Sequence, residues 1–326
     1  MKIVSYVHAY VPDHNGGAET TLHDLNLALI KAGHECVVVL KENPRKPARE
    51  YVVEGVKVIQ SADKRQILHH IPTADIVLSH LECSTRAILL AQSYGIPSGN
   101  IVHNNLDLTR RYIAHGADFV IYNTDWIKAD FEEEFGHIPS IVVHPPILSD
   151  RYKTDRGKLV TLVNFFERKG QDIFWPLAER MSDVNFLAVK GGYGEQVLRH
   201  DLPNVEIMEN TFDVKEVYAK TKVILMPSIY ESYGRVACEA AASGIPSIVS
   251  DTPGLREALG DSGTYLDRDV DAWEKALRAI LTPRKYGAAS KAALARSEAL
   301  DTMAKEELDT FVMFCEHFSN LYNRRR

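Results

Sequence analysis

Two glutamates with seven residues between them, Glu231 and Glu239, carry the clearest chemical pattern in the sequence. The apolar run Val223–Met226 before them predicts a strand, and an alanine-rich run predicts a helix that contains the second glutamate. Glu231 then falls in a loop at the carboxyl end of a strand, where parallel α/β sheets bind their ligands. The start of the helix leaves backbone N–H groups without partners, which favours a phosphate; these groups belong to Ser232, Tyr233 and Gly234. A nucleotide diphosphate that carries a sugar fits all of these features.

The segment from Pro227 to Pro246 resembles the Glu-x7-Glu motif of the retaining, GT-B-fold glycosyltransferases of family 4. In that family the first glutamate faces the donor sugar and the second binds the ribose hydroxyls. The resemblance therefore assigns these roles to Glu231 and Glu239. Two glutamates at this spacing also occur in ordinary helices. The preceding strand, the Pro-Ser loop and the Gly-Ile-Pro sequence that ends the helix favour the family.

A second glycine-rich motif, Gly16-Gly17-Ala18-Glu19, follows the first strand and opens the first helix. Paired glycines let the backbone approach a ligand, and a helix start favours an anion. The dinucleotide fingerprint Gly-x-Gly-x-x-Gly is absent, which disfavours a dehydrogenase. The motif is similar to the loop that lies against the donor phosphate and sugar in the family, so Gly16 and Gly17 are predicted to bind the donor. The family also places a histidine at the position of His103, with its ring near the donor sugar.

A basic segment near residue 168 is similar to the phosphate-binding segment of the family's second domain, where an arginine and a lysine hold the diphosphate. Lys169 matches the lysine, but Asn164 occupies the arginine position, which removes one strong charge-assisted contact. Arg168 is a candidate replacement. Gly192, in a glycine-rich loop, is expected to line the nucleotide pocket or to lie in a loop without a binding role.

The sequence Asp267-Arg268-Asp269 could in principle hold a divalent metal on a diphosphate, as in other transferases. It precedes a predicted helix, however, where carboxylates favour the helix N-terminus, and no further ligand set is visible. We therefore expect Asp269 and Asp271 to cap that helix and expect no metal site.

Apolar runs alternate with amphipathic helical stretches along the whole chain, which is typical of an α/β fold. At 326 residues the chain is long enough for two domains. The expected architecture is GT-B, with two doubly wound Rossmann-like domains facing a central cleft. Residues 1–146 would form the acceptor-side domain and residues 147–301 the nucleotide-sugar-binding domain. As in the resembling family, a C-terminal helix at 302–326, predicted to begin at Thr302, would pack back on the first domain.

Composition narrows the possible partners. A formal net charge of −6 argues against a nucleic-acid partner, which needs a positive surface. The four cysteines are widely spaced, which suits a reducing compartment; Cys36 and Cys238 are interpreted as buried apolar residues. No apolar stretch is long enough to cross a bilayer and no signal peptide is visible, so a cytoplasmic protein is expected.

The predicted activity is transfer of a sugar, with retention of configuration, from a nucleotide-diphosphate donor to a hydroxyl acceptor that the sequence does not identify. Catalysis would use Glu231, His103 and Lys169, with no cofactor or metal, and UDP is favoured over GDP. Two alternatives remain open: an epimerase of the same fold that acts on a nucleotide sugar, and a non-catalytic nucleotide-sugar-binding protein. The acceptor could be a saccharide, a lipid, a protein or a modified nucleobase.

Overall fold

The computed structural model describes residues 1–63, 65–113, 115–192 and 194–323, and the chain divides into two compact units. Unit 1 comprises Met1–Pro146 together with the residues from Lys305 onward, and unit 2 comprises Ile147–Ala304. Tyr193 of the predicted pocket loop, and residues 324–326 of the predicted last helix, lie outside the described residues. In the described part of the chain, no helix has both the length and the apolar character that a membrane span requires.

Unit 1 contains an eight-stranded sheet in the order β3-β4-β2-β1-β5-β6-β7-β8, parallel except for the β3–β4 pair. The strands are β1 Lys2–Val7, β2 Glu35–Leu40, β3 Arg49–Val53, β4 Val56–Gln60, β5 Ile76–His80, β6 Ser98–Val102, β7 Phe119–Tyr122 and β8 Ser140–Val142. Its helices are α1 Gly17–Lys31, α2 Gln66–His70, α3 Ser84–Ser93, α4 Asp107–Ile113 and α5 Asp125–Phe135. The edge strand β3 was not predicted, because its charged and half-exposed residues lack an apolar run.

Both faces of the unit 1 sheet are covered, as β1 shows. Ile3 and Val7 pack in one apolar cluster, and Val4 and Tyr6 pack in another on the opposite face. Alternate residues of a strand point to opposite faces, so a strand that is buried throughout must have helices or other chain on both sides. This arrangement is the doubly wound layer predicted from the sequence.

Unit 2 contains a six-stranded parallel sheet in the order β11-β10-β9-β12-β13-β14. The strands are β9 Leu159–Val163, β10 Phe186–Val189, β11 Val205–Met208, β12 Thr221–Met226, β13 Ser247–Ser250 and β14 Thr264–Leu266. Its helices are α6 Gln171–Arg180, α7 Val214–Tyr218, α8 Arg235–Ala241, α9 Pro253–Leu259 and α10 Val270–Ile280. Here too the strands are buried on two sides, since Leu187 and Phe186 of β10 belong to different clusters.

The last helix, α11, runs from Pro283 to Asn323, so the prediction that it begins at Thr302 was wrong. Four small side chains and one leucine recur along its first half at alternating spacings of three and four residues, and all five are buried: Ser290, Ala293, Ser297, Leu300 and Ala304. This spacing places them on one face of a helix, where their small size allows close packing. The sequence interpretation gave too little weight to this alanine and serine pattern.

The second half of α11 belongs to unit 1. Phe311 and Cys315 are fully buried in the same cluster as Ile3 and Val7. The Phe119 ring of β7 lies 5.4 Å from the Phe314 ring and 4.7 Å from the Phe318 ring, measured between centroids. The end of the chain therefore supplies part of the core of the unit in which the chain begins.

Candidate active site

Glu231 and Lys169 meet at the carboxyl ends of two neighbouring strands, β9 and β12. Lys169 Nζ donates to Glu231 Oε1 at 2.6 Å, and Ser228 Oγ donates to the same oxygen at 2.7 Å. The side chain of Glu231 is 10% exposed and that of Lys169 is 22% exposed. The structure thus brings together the carboxylate and the ammonium group that the sequence analysis assigned to the sugar and the diphosphate.

The loops that carry these two residues are fixed to each other by backbone. The Ile229 N–H donates to the Arg168 carbonyl at 2.9 Å. Gly170 adopts φ +95°, and a Cβ at this position would overlap Pro227. A residue with a side chain would therefore force the Lys169 loop away from the Glu231 loop.

Glu239 lies on α8, and both of its carboxylate oxygens are engaged. Tyr218 Oη donates to Oε2 at 2.6 Å, and Arg235 Nε donates to Oε1 at 2.9 Å. Arg235 also donates to the Tyr152 hydroxyl at 2.7 Å. Burial and the neighbouring Glu239 carboxylate raise the pKa of Tyr218 well above its usual value, so its proton remains available for this bond. The plane of the Glu239 carboxylate is therefore fixed by two side chains.

Sequence reasoning missed these two supports. Arg235 precedes Glu239 by four residues, a spacing at which opposite charges pair on one face of a helix, so this contact was open to prediction. Tyr218 ends α7, more than twenty residues earlier, and its approach depends on how α7 packs beside β12. No local signal in the sequence indicates that contact.

The remaining residues of the motif lie around Gly234, which adopts φ +117° and precedes α8. Tyr233 is buried and Ser232 is half-buried. A Cβ at Gly254 would overlap the backbone of Glu231 and Ser232, so the start of α9 lies directly against the motif loop. At seven residues, α8 is a short helix.

Asn164 is buried at the end of β9 and adopts φ +73°, a backbone conformation that asparagine tolerates better than most residues. Its Oδ1 accepts from the Phe166 N–H and from Gln196 Nε2, both at 3.0 Å. Gln196 Oε1 in turn accepts from the Gly191 N–H at 2.8 Å. Asn164 therefore joins the loop after β9 to the loop after β10. Arg168 and Gly192 are exposed near these loops.

In unit 1, His103 follows β6 and is 9% exposed. Its Nε2 lies 2.9 Å from His80 Nδ1, and its carbonyl accepts from Asn123 Nδ2 at 3.0 Å. Burial, with a smaller contribution from the nearby His8, lowers the pKa of His103 to about 4, so the ring is neutral at pH 7. Gly16 immediately precedes α1 and Gly17 is its first residue.

Of the two carboxylates expected to cap α10, Asp269 does so, and Asp271, in the first turn of the helix, engages Arg180 instead. Asp269 caps α10 by accepting from the Ala272 N–H at 2.8 Å, and Arg268 pairs with Asp172. Cys36 and Cys238 are buried, as interpreted from the sequence, and burial raises the pKa of each thiol to about 12.

Comparison with known proteins identifies the family of the chain. The family model "Glycosyl transferases group 1" matches residues 157–283, and the model "Glycosyltransferase Family 4" matches residues 15–151. The chain belongs to glycosyltransferase family 4 and has the GT-B fold. This glycosyltransferase is 25% identical to glycogen synthase of Mycobacterium tuberculosis, over 86% of each chain. It is 30% identical to O-antigen chain mannosyltransferase B of Escherichia coli, over 31% of this chain and 23% of that one.

Solved structures support the fold of the glycosyltransferase. Anabaena HepE in complex with UDP-glucose superposes with a TM-score of 0.74 and 17% identity, over 95% of this chain and 99% of that chain. Sucrose-phosphate synthase from Thermosynechococcus elongatus superposes with a TM-score of 0.68 and 16% identity, over 99% of both chains. At these identities the likeness shows the fold alone.

Proposed function

We propose that the glycosyltransferase transfers a sugar from a nucleoside-diphosphate donor to a hydroxyl acceptor with retention of configuration and without a metal ion. The observation that carries this proposal is the 2.6 Å contact between Lys169 and Glu231 at the carboxyl ends of β9 and β12. A cation and a carboxylate held side by side suit a ligand that is anionic at its diphosphate and rich in hydroxyl groups at its sugar.

In this proposal Glu239 binds the two ribose hydroxyls. Each carboxylate oxygen has more than one acceptor site, so Glu239 can accept from the ribose while Tyr218 and Arg235 hold its plane. The energetic advantage is that little conformational entropy is lost when the ribose binds.

Lys169 would offset the negative charge that develops on the departing diphosphate, and Glu231 would stabilise positive charge on the sugar. Without donor these two side chains neutralise each other. This ion pair limits the cost of burying Glu231 before the donor binds, and binding of the donor exchanges the pair for contacts with the ligand.

By the family resemblance, His103, Gly16 and Gly17 contribute on the sugar side. The residues that contribute to donor binding are Arg168, Asn164, Gly192, Ser232, Tyr233 and Gly234. The neutral ring of His103 suits a hydrogen bond to a sugar hydroxyl.

UDP is the proposed nucleotide, with GDP as the second choice. HepE is solved with UDP-glucose, and a curated relative is named as a GDP-mannose-dependent mannosyltransferase. The binding experiment must therefore compare UDP and GDP, and their sugars, to determine which base the glycosyltransferase prefers. The acceptor is a hydroxyl compound that a panel must identify.

A thermal-shift panel of nucleoside diphosphates and their sugars, with EDTA present, tests donor binding. A ligand at about 100 times its Kd adds about 2.7 kcal/mol to stability. Glu239→Gln should abolish the shift, whereas Glu298→Gln, an exposed position on α11, should preserve it. No shift with any nucleotide sugar would contradict the proposal.

Turnover separates the chemical step from binding. Glu231→Gln should retain donor binding and lower kcat about 100-fold, because an electrostatic contribution to the transition state is lost. The anomeric configuration of the product, read by NMR, tests retention. An inverted product, or loss of all turnover in EDTA, would contradict this mechanism.

A further inference from the structure

Four histidines and one glutamate converge at the carboxyl ends of three neighbouring strands of unit 1. His8 follows β1, His80 ends β5 and His103 follows β6, and these strands are adjacent in the order β1-β5-β6. Glu19 enters from the first turn of α1, and His14 lies in the loop before that helix. The carboxyl edge of a parallel sheet is where such folds bind ligands.

In the part of the chain that the structure describes, the buried Glu19 carboxylate has no lysine or arginine as an ion-pair partner. Its side chain is 4% exposed, and the two basic side chains found within 4 Å of its oxygens, among the described residues, are imidazoles. His8 Nε2 lies 3.4 Å from Oε1, and His14 Nδ1 lies 3.3 Å from Oε2. A buried carboxylate is costly unless a cation balances it. The surroundings of Glu19 therefore suit a positive charge that the chain itself does not fix there.

His80 offers an unused ring nitrogen at the same place. The residue is fully buried, and its Nδ1 is engaged by His103 Nε2 at 2.9 Å. In the described part of the chain, His80 Nε2 has no hydrogen-bond partner, although buried polar atoms nearly always have one.

We propose that His8, Glu19 and His80 form a binding site for a divalent transition-metal ion, with Zn²⁺ as the preferred occupant. One ligand atom from each of the three residues lies within 4.8 Å of the other two. Two histidines and a glutamate are a ligand set that zinc uses in proteins, at about 2.0–2.2 Å from each ligand atom. Small rotations of the side chains would close the set around the ion. Imidazole ligands favour zinc, copper and nickel over magnesium and calcium.

The surrounding residues complete the requirements of a metal site. His103 holds the second nitrogen of His80, which is the outer contact that fixes the orientation of a ligating histidine. His14 lies beside the other oxygen of Glu19 and is available as a fourth ligand. The side chains of His8 and His14 are 28% and 33% exposed, so the ion has a path from solvent.

A bound ion would join the ends of β1 and β5 to the first turn of α1. The loop before α1 lies directly against the Glu19 carboxylate, since a Cβ at Gly16 would overlap it. An ion that holds Glu19 would therefore also restrict this loop. The three proposed ligands are not residues of the proposed donor site, although His103 and Gly16, which that proposal uses, lie beside them. Zinc binding can therefore fail while donor binding succeeds, and the reverse also holds.

The test uses the full chain without a histidine tag, stripped with EDTA and free of nucleotide. Zn²⁺ is titrated in competition with a chromophoric chelator, and Co²⁺ is titrated while its visible absorption is recorded. We expect one ion per chain and the absorption of cobalt in a low-symmetry nitrogen and oxygen site. Glu19→Gln and His8→Ala should each weaken Zn²⁺ binding by about 100-fold or more, since even the loss of an outer contact costs 10- to 100-fold.

His137→Ala is the matched control, because it removes an exposed histidine that lies 3.3 Å from Glu132 on the surface. Its affinity for Zn²⁺ should equal that of the unchanged protein. Circular dichroism checks that each variant folds; if Glu19→Gln does not fold, the half-exposed His8→Ala gives the result. Absence of stoichiometric binding, or equal affinity in His8→Ala and His137→Ala, would overturn the proposal.

Discussion

Glu231 and Glu239 are both buried, but their charges are balanced in different ways. Glu239 is held by Arg235 of its own helix and by Tyr218, and these contacts do not depend on a ligand. Glu231 is paired with Lys169, which in the proposed function must also bind the diphosphate. The Glu239 carboxylate is thus preorganised, whereas the Glu231 carboxylate exchanges partners in the proposed reaction.

This difference predicts the effect of removing Lys169. Lys169→Met leaves Glu231 buried without its cation, and we expect a loss of about 1–3 kcal/mol in the free energy of unfolding, less than for a fully buried pair because Lys169 is partly exposed. Urea unfolding measures it. Arg168→Met, at the exposed neighbouring position, is the control and should cost less than about 0.5 kcal/mol. Adding Glu231→Gln to Lys169→Met should restore stability; a further loss would contradict this account of the pair.

The buried histidines predict a pH dependence of stability. His103 has a pKa of about 4 in the folded protein against about 6.5 when unfolded, and the pKa of His80 is lowered as well. Between pH 4 and pH 6.5 the unfolded chain binds more protons than the folded protein. The contribution of the neutral histidines to stability is therefore complete above about pH 6.5 and falls as the pH drops toward 4. Each histidine contributes at most about 1.4 kcal/mol per pH unit. Urea midpoints at several pH values measure the slope.

Replacement of one histidine gives the control for that slope. His103→Asn removes one histidine that the folded protein keeps unprotonated, while His80, His8 and the carboxylates remain. The dependence of stability on pH between 4 and 6.5 should therefore become shallower. The exposed His137→Ala should leave the slope unchanged. A steep slope in His103→Asn equal to that of the unchanged protein would assign the effect to other groups.

At the scale of elements, the two loops after β9 and β12 depend on glycine for their approach. Gly170→Ala should lower the free energy of unfolding by more than about 2 kcal/mol, because the new Cβ meets Pro227 and the φ of +95° is unfavourable for alanine. It should also weaken donor binding by displacing Lys169. Gly95→Ala, with φ +65° and open space around the Cβ, should cost only about 1 kcal/mol and leave donor affinity unchanged. Equal effects would show that Gly170 matters only for its backbone angle.

The sequence predicted most of these elements, because buried parallel strands are continuous apolar runs and leave a strong signal. Val223–Met226 is an example, found within β12. The signal failed where side chains are polar or small. The half-exposed β3 and the first half of α11 were missed for that reason.

At the site, the sequence predicted the residues of the linear motif but not those that arrive from elsewhere. The family resemblance assigned roles to Glu231, Glu239 and Lys169, and the structure places Lys169 against Glu231. Tyr218 could not be predicted, since its contact with Glu239 depends on tertiary packing. The same limit applies to the cluster of His8, Glu19 and His80, whose members are far apart in the sequence and meet only because β1 and β5 are neighbours.

For the whole molecule, the division of the chain predicts unequal behaviour of its fragments. A fragment of residues 147–304 contains the complete six-stranded sheet and both apolar clusters of unit 2. We expect it to unfold cooperatively on heating. A fragment of residues 1–146 lacks Phe311 and Cys315, which are fully buried in the complete chain, and should show no cooperative transition.

Adding residues 305–323 as a separate peptide provides the control for the shorter fragment. The peptide should restore a cooperative transition, because it returns the aromatic contacts to Phe119. Calorimetry of each fragment, with and without the peptide, makes the measurement. A cooperative transition of residues 1–146 alone would show that the last helix is dispensable for that unit.

The return of α11 to unit 1 also has a consequence for biosynthesis. A ribosome releases the continuous middle of the polypeptide, residues 147–304, before it releases the segment that the amino-terminal unit still lacks. The usual vectorial order, in which the first-made part matures first, is therefore reversed here. The nascent amino-terminal unit must wait, with apolar surface uncovered, until residues 305–323 have been synthesised, and in this interval we expect chaperones to bind it.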